Sequence, residues 1–100
     1  MIKHIVCWKL ADQAEGHSKA ENARLLKSKL EGLAGRIPGL LKIEAGINFN
    51  AGDAALDVAL VSEFATRADL DAYQAHPLHR ELADWINRVR TQRYIVDYES

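Results

Sequence analysis

From Ile2 to Leu10 the chain reads IKHIVCWKL, an alternation in which both halves are apolar. Ile2, His4, Val6, Trp8 and Leu10 fall on one side, Ile5 and Cys7 on the other. Successive side chains of a strand point to opposite faces, so this strand needs cover on both. Leu56–Phe64, with VALVSEF at its end, has the same character. Leu40–Phe49 alternates through Leu41, Ile43, Ala45 and Ile47, and Arg93–Glu99 sets Tyr94, Val96 and Tyr98 against Ile95 and Asp97. A sheet of these segments has two faces to bury, and that limits what the remaining chain must build.

The intervening segments read as helices and turns. Ala11–His17 is a polar loop, and Ser18-Lys19-Ala20-Glu21 has the S-x-x-E form of a capping box. A helix follows to about Ala34, with Ala23, Leu26, Leu30, Leu33 and Ile37 as its apolar stripe and Gly35 suited to its C-terminal cap. Ile37 precedes Pro38 and is expected to be extended. Asn50–Asp53 is a turn. A second helix is capped near Thr66 and ends before Pro77. A third pattern starts at Pro77, through Leu78, Leu82, Trp85, Ile86 and Val89.

The order is therefore β-α-β-β-α-β with an extra helix before the last strand. That is an α+β, ferredoxin-like arrangement with a four-stranded antiparallel sheet, in a single domain spanning residues 1–100. Helices can cover only one face of this sheet. Ile5, Cys7, Ala59, Val61, Tyr94, Val96 and Tyr98 are expected on the other, a large apolar patch for a small protein. A second copy, sheet against sheet in a two-fold homodimer, would cover it, with Glu44 and Glu63 near the rim. No stable monomer is then expected.

Composition narrows the function classes. With 48% apolar and 27% charged residues and a net charge of −1, the chain has no basic field for nucleic acid. Arg88, Arg90 and Arg93 cluster, but Glu81, Asp84 and Asp97 surround them. No apolar run approaches the ~18 residues of a membrane span, and MIKHIVCWKL is too interrupted for a signal peptide. One cysteine, Cys7, precludes an internal disulfide and fits a reducing cytoplasm, where it reads as a small core residue.

Chemistry concentrates in AYQAHPLHREL, Ala72–Leu82, which holds two of the four histidines. His76 precedes Pro77, is biased away from helix, and reads as a corner residue. On a helix from Pro77, Ile86 returns within roughly 20° of His79 and Leu82 within roughly 60°, which sets His79 on the shoulder of the apolar stripe. Tyr73 pairs with Leu70 on the inward side of the second helix, and His4 shares a strand face with Val6 and Trp8. His4, Tyr73 and His79 thus converge between helices and sheet. Trp8 forms a wall, and Val6, Ile43, Val58, Leu60, Leu82, Trp85 and Ile95 complete the expected cavity. An apolar cavity with few polar groups suits an apolar or aromatic small molecule. A near-neutral histidine beside a tyrosine hydroxyl suits proton abstraction next to a carbonyl. The H-x-x-H of His76 and His79 is broken in register by Pro77, and there is no Gly-rich phosphate loop, so neither metal nor cofactor is expected.

The segments IKHIVCWKL, IPGLLKIEAGIN, DVALVSEFATRADLDAYQAHPLH and VDYE, in this order and spacing, resemble the stress-responsive α/β-barrel domain family of the dimeric α+β barrels. The resemblance covers nearly the whole chain and implies a ferredoxin-like protomer that dimerises through its sheet into a barrel. Some plant members accompany stress responses. One branch contains polyketide cyclases that promote an intramolecular aldol condensation without a cofactor. In that branch an imidazole acts as general base and a tyrosine hydroxyl assists; they match His79 and Tyr73, and His4 matches another pocket histidine. Val58 stands where the cyclase has a further histidine, and Leu26 and Leu30 where it carries aromatics. Three readings remain open: a cofactor-independent cyclase-like or isomerase-like enzyme, a non-catalytic small-molecule-binding or stress-associated protein, and, with least support, a monooxygenase-like enzyme.

Overall fold

A computed structural model describes all residues 1–100. Its elements are β1 (Ile2–Leu10), β2 (Gln13–Ala14), β3 (His17–Ser18), α1 (Lys19–Glu31), β4 (Leu40–Ile47), β5 (Val58–Phe64), α2 (Arg67–Ala75), α3 (Pro77–Val89) and β6 (Arg90–Glu99). The main sheet has the order β4-β5-β1-β6 with every neighbouring pair antiparallel, the ferredoxin-like arrangement. The helices pack on one face, over a core that includes Val6, Leu26, Leu60, Phe64, Tyr73 and Val89.

The expected boundaries shift for identifiable reasons. Helix α1 stops at Glu31, because the next N–H groups, of Leu33 and Ala34, bond to carbonyls three residues back, Leu30 and Glu31, rather than four; Gly35, with φ of 73°, falls in the turns beyond the helix. The polar loop before α1 contains the short hairpin β2–β3, which the sequence reading missed. It turns through Glu15 and Gly16, with φ of 52° and 79°, a left-handed pair that glycine eases. Asn22, fully buried on α1, holds this hairpin by donating to the Ala14 carbonyl at 3.0 Å. Strand β6 begins at Arg90, directly after α3 and earlier than expected.

The capping box at the start of α1 forms in both directions, Glu21 N–H to Ser18 Oγ at 3.2 Å and Ser18 N–H to Glu21 Oε1 at 3.0 Å. Ser18→Ala should lower stability by about 1 kcal/mol, the usual worth of such a cap. Chemical denaturation of the two proteins reads this directly, and an unchanged midpoint would mean that packing alone holds the helix start.

The uncovered sheet face is ordered in rows. Register places Glu44, Val61, Ile5 and Val96 side by side, and next to them Gly46, Ala59, Cys7 and Tyr94. The flanking row, Lys42, Glu63, Lys3 and Tyr98, is charged, with Glu63 paired to Lys3 at 3.1 Å and to Lys42 at 3.9 Å. Tyr94, Val96 and Tyr98 are exposed in the single chain. No helix is long and apolar enough to cross a membrane.

Candidate active site

The corner at His76 positions the site. Its backbone N–H caps the end of α2 on the Tyr73 carbonyl, and its Nδ1 accepts from Leu78 N–H at 3.1 Å at the start of α3. One residue thus closes two helices, and Pro77 takes the first position of α3, where a missing N–H costs nothing. This turn sets Tyr73 at the end of α2 against His79 in the first turns of α3, ring centroids 4.6 Å apart.

Tyr73 is fully buried, its ring also packed on Phe64 at 5.1 Å and near His4 at 6.2 Å. His4, 1% exposed, projects from β1, and its Nδ1 lies 2.5 Å from Asp97 Oδ1 on the neighbouring β6. The carboxylate accepts from Nδ1–H, which leaves Nε2 as the free nitrogen of that ring. Sequence reasoning did not assign Asp97, although the alternation of β6 had already placed it opposite Tyr98.

These residues share a cavity of about 290 Å³, lined also by Val6, Trp8 and Leu82. Six of the eight expected site residues therefore meet. Val58 and Trp85 do not. Val58 is buried beside Trp8, at the far end of β5, and lines a different cavity. Trp85 turns toward α1, where Lys29 Nζ sits 5.0 Å over its ring. The apolar stripe of α3 serves two neighbours, sheet and α1, and Trp85 belongs to the second. Ile43 and Ile95 also lie outside the cavity; Ile95 is exposed on the edge strand. In their place the cavity gains Asn87, Arg90 and Arg93.

Four buried side-chain polar atoms in the chain lack a hydrogen-bond partner, and three of them, Trp8 Nε1, Tyr73 OH and His79 Nδ1, belong to residues of this cavity. Such atoms are rare and costly in folded proteins. Burial pushes the Tyr73 hydroxyl up to about 12, so it remains a proton donor throughout the neutral range. Burial lowers His79 below its ordinary value; a contact with the Gln74 backbone opposes this, and the electrostatic effects of His4 and Arg93 add to it. His79 is thereby kept neutral and able to accept a proton. A larger cavity of about 660 Å³ lies along residues 46–59 above Cys7, but it brings together no unpartnered buried polar group. No three His, Cys, Asp or Glu residues stand close enough to share a metal ion.

Known proteins bear on this geometry. No curated protein matches the chain. A dimeric protein of unknown function with a ferredoxin-like fold from Bacteroides fragilis is 34% identical, covering 99% of this chain and 95% of its own, with a TM-score of 0.87. A Dabb family protein from Mesorhizobium loti (20% identical, 99% and 95% covered, TM-score 0.73) and a hydroxynitrile lyase from Passiflora edulis (18%, 97% and 90%, TM-score 0.81) share the fold. The family model for the stress responsive A/B barrel domain matches residues 2–100. With its sheet order, its helices on one face and the His4–Tyr73–His79 cluster between them, the chain belongs to the stress-responsive A/B barrel domain family.

Proposed function

We propose that this protein is a cofactor-independent enzyme of the cyclase or isomerase type, acting on a small carbonyl compound held between helices and sheet. The observation that carries the reading is the pair of buried, unpartnered atoms Tyr73 OH and His79 Nδ1 on rings 4.6 Å apart in one cavity. In this scheme Tyr73 donates to the substrate carbonyl oxygen. His79 removes a proton from the adjacent carbon, the C–H electron pair moving into an enolate that the Tyr73 hydroxyl stabilises. The enolate either attacks a second carbonyl of the same molecule, whose oxygen takes the proton back from His79, or, in a substrate with a conjugated C=C bond, takes that proton back at the far carbon. His4, held by Asp97, offers Nε2 as a third polar contact. The working unit is a homodimer formed through the uncovered face, in keeping with the dimeric Bacteroides relative. The lone, unbridged Cys7 fits a cytoplasmic setting.

Deuterium exchange tests this. The protein in D₂O should accelerate exchange at the α-carbons of 1-phenylpropan-2-one and 4-oxo-4-phenylbutanoate, followed by proton NMR, well above an equal concentration of free imidazole. If both compounds shift cavity resonances and neither exchanges faster, the site binds without catalysing, and the non-catalytic reading takes over.

A further inference from the structure

The proposed reading leaves one part of the cavity unused, the end where α3 runs into β6. Asn87, Arg90 and Arg93 line the cavity there, and no acidic residue lines it anywhere. Asp97, four residues from Arg93, is turned to His4 and borders a separate cavity with Arg67 and Glu99. Arg90 is held by its Nε–H donating to Asn87 Oδ1 at 2.9 Å. Arg93 stands opposite Trp8 in the β1–β6 register and has no hydrogen bond or ion pair to any side chain. The other arginines near it in sequence are engaged: Arg88 pairs with Glu15 and Arg90 with Asn87.

Two guanidinium groups and no carboxylate thus line the cavity. Its opposite wall is apolar and aromatic. Guanidinium groups match planar carboxylates in geometry, and an unpaired one beside an apolar wall favours an anionic partner. We propose that the ligand of this site is a carboxylate-bearing carbonyl compound, a keto acid, with its carboxylate on Arg93 and Arg90 and its carbonyl at Tyr73 and His79. This rests on the carbonyl chemistry proposed above and adds the charge and orientation of the substrate. The volume of about 290 Å³ sits at the lower end of small-molecule sites, so the compound is short.

The test compares 4-oxo-4-phenylbutanoate with its methyl ester, nearly identical in shape and different in charge, by isothermal titration calorimetry. The acid should bind at least tenfold more tightly than the ester, and added salt should narrow the gap. Arg93→Gln, a change on an exposed edge strand, should bring the two ligands within about threefold of each other while leaving the ester's affinity unchanged. Equal binding of acid and ester to the wild-type protein overturns the carboxylate assignment. So does an Arg93→Gln variant that weakens both ligands alike. These results stay separate from the catalytic reading. His79→Gln should keep the acid preference, and exchange at the ester's α-carbon depends on His79 whether or not Arg93 selects charge. Binding of neither ligand overturns the proposal as well.

Discussion

His79→Gln should slow deuterium exchange into 1-phenylpropan-2-one by roughly 10²–10⁴-fold, the usual contribution of a positioned general base. Its stability should stay within about 1 kcal/mol of wild type. The two expectations have one origin. Nδ1 of His79 is buried without a partner in normal hydrogen-bond geometry and has only a looser contact with the Gln74 backbone, so the fold loses little when it goes. Tyr73→Phe makes the complementary case. The Tyr73 ring packs against Phe64, and its hydroxyl is likewise unpartnered. Phenylalanine keeps the packing, so exchange should fall while the melting temperature holds or rises. A large stability loss in either variant, with exchange unchanged, would make both residues structural.

The pH dependence follows from the same burial. His79 is lowered from 6.5, so it remains a neutral base at and somewhat below that pH. The acid limb of the rate profile should therefore have its midpoint below 6.5. Tyr73, raised to about 12, adds no basic limb in the neutral range. For stability, the unfolded chain protonates this histidine more readily than the folded one does. The contribution of His79 is thus fully present above 6.5 and is lost as pH falls through its folded value. His79→Gln should remove that part of the acid sensitivity, as read by denaturation at several pH values.

The sequence carried the sheet, its two apolar faces and most of the cavity, because alternation in strands and the seven-residue return on α3 are local geometry. His79, Leu82 and Ile86 could be placed from angle alone. Trp85 could not, because a broad apolar stripe does not say which of two neighbours it meets, and Lys29 on α1 is far away in sequence. Val58 was misplaced for a related reason. Its side of the sheet was right, but its position at the start of β5, opposite Trp8, depends on the β1–β5 register. Register also hid what β6 brings to the cavity and its surroundings. Asp97 falls beside His4 and Arg93 beside Trp8 only once β6 is paired to β1, and no local pattern fixes that pairing. The β2–β3 hairpin was missed because two-residue strands leave no alternation to read.

Val96→Glu should break the proposed homodimer. Val96 lies in the row Glu44–Val61–Ile5–Val96, beside the row that ends in Tyr94, and is 60% exposed in the single chain. A carboxylate there would be buried among apolar side chains in each of two symmetric copies, without a cation in its row. At roughly 2 kcal/mol for each poorly compensated polar burial, two copies weaken association by about three orders of magnitude. Sedimentation velocity at low micromolar concentration should then show half the wild-type mass. The exposed face should also carry much of the fold's stability, so the wild-type melting temperature should rise with protein concentration and that of Val96→Glu should be lower. Val96→Leu, which keeps the row apolar, should remain dimeric. The contrast separates charge from shape, since leucine is also larger than valine at this position. A Val96→Glu protein that sediments and melts like wild type would place the dimer contact elsewhere. The free edges of β4 and β6 would then be the next surfaces to probe, because a sheet edge pairs through backbone groups that a side-chain charge does not block.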